Sequence, residues 1–118
     1  MIALTIIESA MALLGYDTLQ RAGSVKDIDE NAISALNAVY ADLYFLFNKE
    51  GFNKITTVQD VVNLPQKALY DIMPYGVASF MASFQGDSDS QQYFSKIYNL
   101  KRKSFVQEEA VTDVLPAI

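Results

Sequence analysis

Neither cysteine nor histidine occurs among the 118 residues of this chain. Their absence removes disulfides, thiolate nucleophiles, Cys/His zinc sites and imidazole acid–base chemistry together. A cysteine-free chain also fits a reducing compartment. Charge is scarce as well: 19% of residues are charged, against about a quarter in an average globular chain. What charge there is leans negative, 14 acidic residues to 9 basic, a net of −5. A chain of that sign has no general affinity for nucleic-acid phosphates, which require basic surface. Long apolar runs are missing too. The longest uncharged stretch, Ile72–Gly86, is interrupted by Pro, Gly and Ser and falls short of the ~20 residues that span a bilayer. The opening stretch Met1–Tyr16 is apolar but carries Glu8 and no basic leader, so it makes a poor signal peptide and a cytoplasmic protein is expected.

What is present is apolar bulk. Hydrophobic residues make up 51% of the chain, with seven Tyr and seven Phe. A domain of this length buries roughly two-thirds of its extended surface, enough for a real core. Few charges around so much apolar surface point to some of it being hidden against a partner.

The chain reads as all-α: a single small domain of four to five helices over residues 1–107, followed by an extended C-terminal arm, residues 108–118. The first helix has Thr5 three residues before Glu8, the spacing of a capping box, and ends at Gly15. A second runs from Asp27 to Asn48, its acidic start (Asp27, Asp29, Glu30) suited to the helix dipole and Gly51 stopping it. Thr57 and Asp60 could begin a short helix, and Pro65 suits the first turn of the next, with Asn63 as its cap. Gly86 ends that helix, and Asp87–Ser90 caps the last one, whose Lys101-Arg102-Lys103 lies toward its C-terminal end. The tail "VQEEAVTDVLPAI" contains Pro116 and reads as extended; short strands there or in the loops remain open.

Three faces carry more than the elements do. In the second helix Ile33, Leu36, Tyr40, Leu43, Tyr44 and Phe47, flanked by Val39 and Leu46, form the core stripe. The opposite side has Ala35, Ala38, Ala41 and Asp42 with Phe45 among them, either a satellite core contact under a loop or a place where another helix approaches. In the next helix Leu69, Ile72, Met73, Val77, Phe80 and Phe84 share one face, yet Tyr70, Tyr75, Ala78, Met81 and Ala82 leave the other sides uncharged. A helix apolar all round is surrounded by protein, as the central helix or as one shared with a neighbour. Pro74 should kink or break it near Tyr70–Pro74, and Gly76 permits a close approach. In the last helix Tyr93, Phe94, Ile97, Tyr98, Leu100 and Phe105 face inward, whereas Lys101, Arg102 and Lys103 splay about 100° apart and form no single phosphate-gripping patch.

No catalytic signature accompanies these faces. The carboxylate pairs Asp27/Asp29/Glu30, Asp87/Asp89 and Glu108/Glu109 sit at helix starts or in the tail, where capping and solubility explain them. "GDSDS" lacks a calcium loop's sixth-position Gly and twelfth-position Glu: counted from Asp87 these are Gln92 and Tyr98. Phosphate loops, dinucleotide fingerprints and Gly-flanked nucleophilic serines are missing. The expectation is a non-enzyme with no metal and no cofactor.

The segment Leu64–Phe105 resembles small adaptor proteins of tailed bacteriophages and prophages, the head–tail connector or head-completion class. The resemblance lies in the Pro74-Tyr75-Gly76 triplet, the small and apolar run Val77–Phe84, the polar acidic turn Gly86–Ser90, and a final helix with Tyr93, Tyr98 and late basic Lys101–Lys103. It implies a ring of identical subunits under the portal at the capsid vertex, made in the bacterial cytoplasm and resident in the virion. Such a ring extends the DNA channel and offers a surface to the tail or a stopper protein. DNA passes nearby without sequence-specific binding, and no membrane is involved. The interface residues on this reading are Phe45, Pro74, Tyr75, Gly76, Met81, Lys101, Arg102 and Lys103, with Val111, Val114, Leu115 and Ile118 of the arm. A small helical interaction or regulatory module of cytoplasmic bacterial origin accounts for the same periodicities. An enzyme using a metal or nucleotide at the acidic turns would be stabilised thermally by that ligand.

Overall fold

The structure is a computed structural model that describes residues 1–15, 25–46 and 51–114, with side chains described through residue 106 except at 25–29. The described residues hold four α-helices: α1 (Ala3–Leu14), α2 (Val25–Leu46), α3 (Met73–Phe84) and α4 (Ser88–Val114). Among the described residues the sole β-type pairing is an isolated antiparallel bridge, Ile2 to Val61.

That bridge marks how α1 begins. Its first amides have no intrahelical acceptor, and the capping box expected from Thr5 and Glu8 does not form. Ile2 is the N-cap and makes no side-chain cap. Instead the Ala3 and Leu4 N–H groups donate to the carbonyls of Asp60 and Val58, 2.8 Å each, and the Val62 N–H donates to Met1. At the other end Gly15 closes the helix in the left-handed region, φ 83°, as its position suggests.

The segment 51–62 that caps α1 is itself pinned to α2. The Asn37 amide donates to the Ile55 carbonyl at 2.8 Å and accepts the Ile55 N–H at 2.7 Å. Tyr40 Oη accepts the Asn63 N–H at 3.0 Å, so Asn63 ties to α2. Thr57 and Asp60 form a turn rather than a short helix. The Asp60 carboxylate accepts the backbone N–H and the hydroxyl of both Thr56 and Thr57.

Pro74 breaks the helical ladder as its missing N–H requires. The form taken is a π-helical stretch, Ala68–Ile72, leading directly into α3. The Met73 N–H reaches back to Ala68, a five-residue span, and the widened turn absorbs the position where proline can donate nothing.

Downstream, α3 packs against α1, α2 and α4. Much of its apolar circumference is that of a central helix, buried within one chain. Met73, Val77, Ala78, Met81 and Ala82 are buried on it. Phe80 and Phe84, expected on the core face, are exposed instead, because the buried side of α3 turns through Met81 and Ala82 and leaves these two rings at its edge. In α2 the expected stripe is buried at Leu36, Val39, Tyr40, Leu43 and Tyr44, and Ala35 on the presumed back face is buried as well; Phe47 lies outside the described residues.

Gly86, at φ 73°, turns the chain into α4. The Asp87 carboxylate caps it by accepting the Ser90 N–H at 3.1 Å, and the Asp87 carbonyl accepts the Gln91 N–H. On α4, Phe94 and Phe105 are buried, with Ile97 and Tyr98 packed against the core, but Tyr93 and Leu100 point away from it. The helix continues through Val114, carried by the good helix formers of Gln107–Ala110. The segment read as an arm is therefore helical at its base, and residues 115–118 lie outside the described residues.

Candidate functional site

The Pro74-Tyr75-Gly76 triplet sits where three helices meet. Pro74 and Gly76 are buried. A Cβ placed on Gly76 would lie 2.9 Å from the Tyr98 ring of α4 and 2.9 Å from a Val39 methyl of α2. Glycine is what allows α2, α3 and α4 to converge here. Tyr75 is half-buried, its ring 6.4 Å from that of Phe94.

Around this junction the basic cluster is put to internal use. Lys101 pairs with Asp71 at 2.8 Å and stands 5.1 Å over the Tyr75 ring, tying α4 to the π-helical stretch. Arg102 donates to both oxygens of Asp42, at 2.8 and 3.2 Å, and Tyr98 Oη donates to the same carboxylate at 2.6 Å. Burial pushes the Tyr98 phenol well above its usual pKa, and the Asp42 carboxylate adds to the shift. Hydrogen bonding to Asp71 and Asp42 holds Lys101 and Arg102 in their charged forms. Lys103 is exposed.

The residues expected to form an interface thus divide. Pro74, Gly76 and Met81, the last 3% exposed, are enclosed by this chain's own core and present nothing to a partner. Lys101 and Arg102 are engaged with Asp71 and Asp42. Phe45 is 61% exposed and stands beside the Tyr44 and Phe52 rings at 6.3 and 5.9 Å. It forms the outer edge of an aromatic group completed by Tyr40, a satellite contact with an open side. Val111 and Val114 lie on helical backbone with side chains outside the described set, and Leu115 and Ile118 fall wholly outside it.

Periodicity alone missed the outward-facing residues. Tyr93 and Leu100, 62% and 63% exposed, fall one heptad apart on α4 and so share an azimuth. Lys96 and Lys103, both exposed, flank them with the same spacing. Phe80 and Phe84 form a second exposed stripe on α3, one turn apart. A groove of about 260 Å³ separates the two helices on the Phe80 side, lined by Gly76, Ser79, Gln91, Ser95 and Asn99. Tyr93 and Leu100 project from a different side of α4, at least 100° around the axis from Ser95 and Asn99. Among the described residues these stripes are two separate apolar faces, besides the exposed side chains of Phe45, Val61 and Tyr70.

Chemically the groove is quiet. The Ser79 hydroxyl donates to the Gln91 carbonyl at 3.0 Å, and the groove's other polar side chains are hydroxyls and amides without a base. Among the described residues no three potential metal ligands cluster, and no helix is long and apolar enough to cross a membrane. Comparison of the chain with protein-family models, with curated proteins and with solved structures gives no match.

Proposed function

We propose that the chain is a structural subunit of a bacteriophage head–tail connector, an adaptor that assembles with copies of itself beneath the portal and does no catalysis. The observation that carries this reading is the pair of exposed apolar faces on adjacent helices, Phe80/Phe84 and Tyr93/Leu100. A subunit in a closed ring touches two neighbours through two different patches, and two separate faces meet that need. Support also comes from the resemblance of Leu64–Phe105, whose Pro-Tyr-Gly triplet lies at the structural centre of the domain. The acidic balance of the chain, −5, and the internal pairing of Lys101 and Arg102 suit a wall past which DNA slides, since retention scales with phosphates neutralised.

One observation favours the second reading, a small helical interaction module. The burial of Met73, Val77, Ala78, Met81 and Ala82 inside their own chain means that most of the apolar girth of α3 calls for no neighbour. Electron microscopy of the purified chain, alone and mixed with portal rings, separates the two. The adaptor reading predicts hollow rings or portal rings lengthened by an added layer. Single particles of one chain that leave portal rings bare would overturn it.

A further inference from the structure

The outer stripe of α4 has a counterpart in the chain's own C-terminal segment. Tyr93, Lys96, Leu100 and Lys103 occupy an arc of about 80° at i, i+3, i+7 and i+10. All four are exposed, and the two lysines make no ion pair with a described residue. This surface alternates apolar and basic. Residues 107–118 have the complementary makeup: three carboxylates, no cation, and four branched apolar side chains, Val111, Val114, Leu115 and Ile118. Elsewhere on α4 the cations are spent internally, on Asp71 and Asp42, so the stripe is where basic charge remains to be met.

The segment cannot reach the stripe of its own chain. α4 is one continuous helix through Val114, which places Val114 about 17 Å along the axis from Lys103, the near end of the stripe, and about 21 Å from Leu100. Four further residues extend at most about 14 Å. We infer that residues 107–118 of one copy dock on the Tyr93–Lys103 stripe of α4 in a second copy, apolar side chains against Tyr93 and Leu100 and carboxylates toward Lys96 and Lys103. The contact is head-to-tail, because donor segment and acceptor stripe are different surfaces, and head-to-tail contacts close into rings when the rotation allows. It rests on the adaptor reading for its biological setting but not for its chemistry.

The test is the native mass of the full chain by light scattering over a concentration series, for the wild type and three variants. Lys96→Glu/Lys103→Glu reverses the stripe, and Glu108→Lys/Glu109→Lys reverses the segment. The third variant combines all four changes. Each two-site variant is expected to need about tenfold or more protein to reach the same mass, with helical circular dichroism unchanged, and the four-site variant is expected to recover. Equal association of wild type and both two-site variants overturns the inference, as does failure of the four-site variant to recover. A wild type that stays a single chain throughout overturns it too, while the adaptor reading then stands or falls on the added layer at portal rings.

Discussion

Gly76 shows how one missing side chain sets the spacing of three helices. Alanine there would gain about 1 kcal/mol of helix propensity. It would also place a methyl 2.9 Å from both the Tyr98 ring and Val39, and neither neighbour yields easily. Val39 is fully buried, and Tyr98 is held through its hydroxyl by Asp42. Overpacking of this kind costs about 1–3 kcal/mol, so Gly76→Ala should be net destabilising by up to about 2 kcal/mol, read as a lower urea midpoint at unchanged slope. An unchanged or raised midpoint would show that α4 moves aside freely. The neighbouring Asp42 gives a second prediction. Its pairs are partly exposed, which limits their worth, yet it serves two donors at once. Asp42→Ala should cost about 1–2 kcal/mol, and a double-mutant cycle with Tyr98→Phe should return a coupling of about 0.5–1.5 kcal/mol. Additive single effects would mean that the Tyr98–Asp42 hydrogen bond contributes nothing to stability.

At the scale of elements, the junction of α1 with the 51–62 segment is one place where pH acts. The Asp60 carboxyl is held below its usual 3.8, first by the Thr56 backbone N–H, then by that of Thr57. A carboxyl depressed in the folded state adds stability that is present above its unfolded pKa and lost as pH falls through the folded value. The turn should therefore loosen in acid and release the Ala3 and Leu4 amides that depend on Asp60 and Val58. Hydrogen exchange at these two amides, corrected for intrinsic rate, should lose protection as pH falls from about 5 to about 2, and Asp60→Asn should show the weaker protection at both. Equal protection at both pH values in the wild type would contradict this. The turn also shows what local sequence conveys. Gly15, Pro74, Gly76 and Asp87 act through their own backbone or their nearest neighbours, and each does what its residue type and position suggest. The true cap of α1 is backbone from residues more than fifty positions away, a pairing that no local pattern encodes. Helical azimuth likewise tells where Lys101 and Arg102 point, but not that Asp71 and Asp42, from other elements, stand opposite them. Phe80, Phe84, Tyr93 and Leu100 were misplaced for a related reason. A periodic stripe identifies a face, whereas the neighbouring helices decide how much of its width is covered: Met81 and Ala82 beside Phe80, and Phe94 and Phe105 on either side of Leu100, are buried.

Across the whole molecule, the all-α architecture follows from periodicity and punctuation, and α3 is central because nothing on its circumference demands water. The exposed apolar faces are what remains once that core is closed. Phe45 separates core from surface among them. Phe45→Asp removes only the open edge of an aromatic group, so it should lower stability by no more than about 1 kcal/mol. A mutant that fails to fold would place Phe45 in the core. The proposal is that other copies of the chain meet these faces. Its most direct test is the native mass of the purified full chain by light scattering, from dilute to concentrated, alone and with portal rings. Assembly predicts a concentration-dependent rise to a closed species of many copies, or stable addition of a layer to the portal. A mass of one chain at every concentration, with portal rings left unchanged, would contradict it.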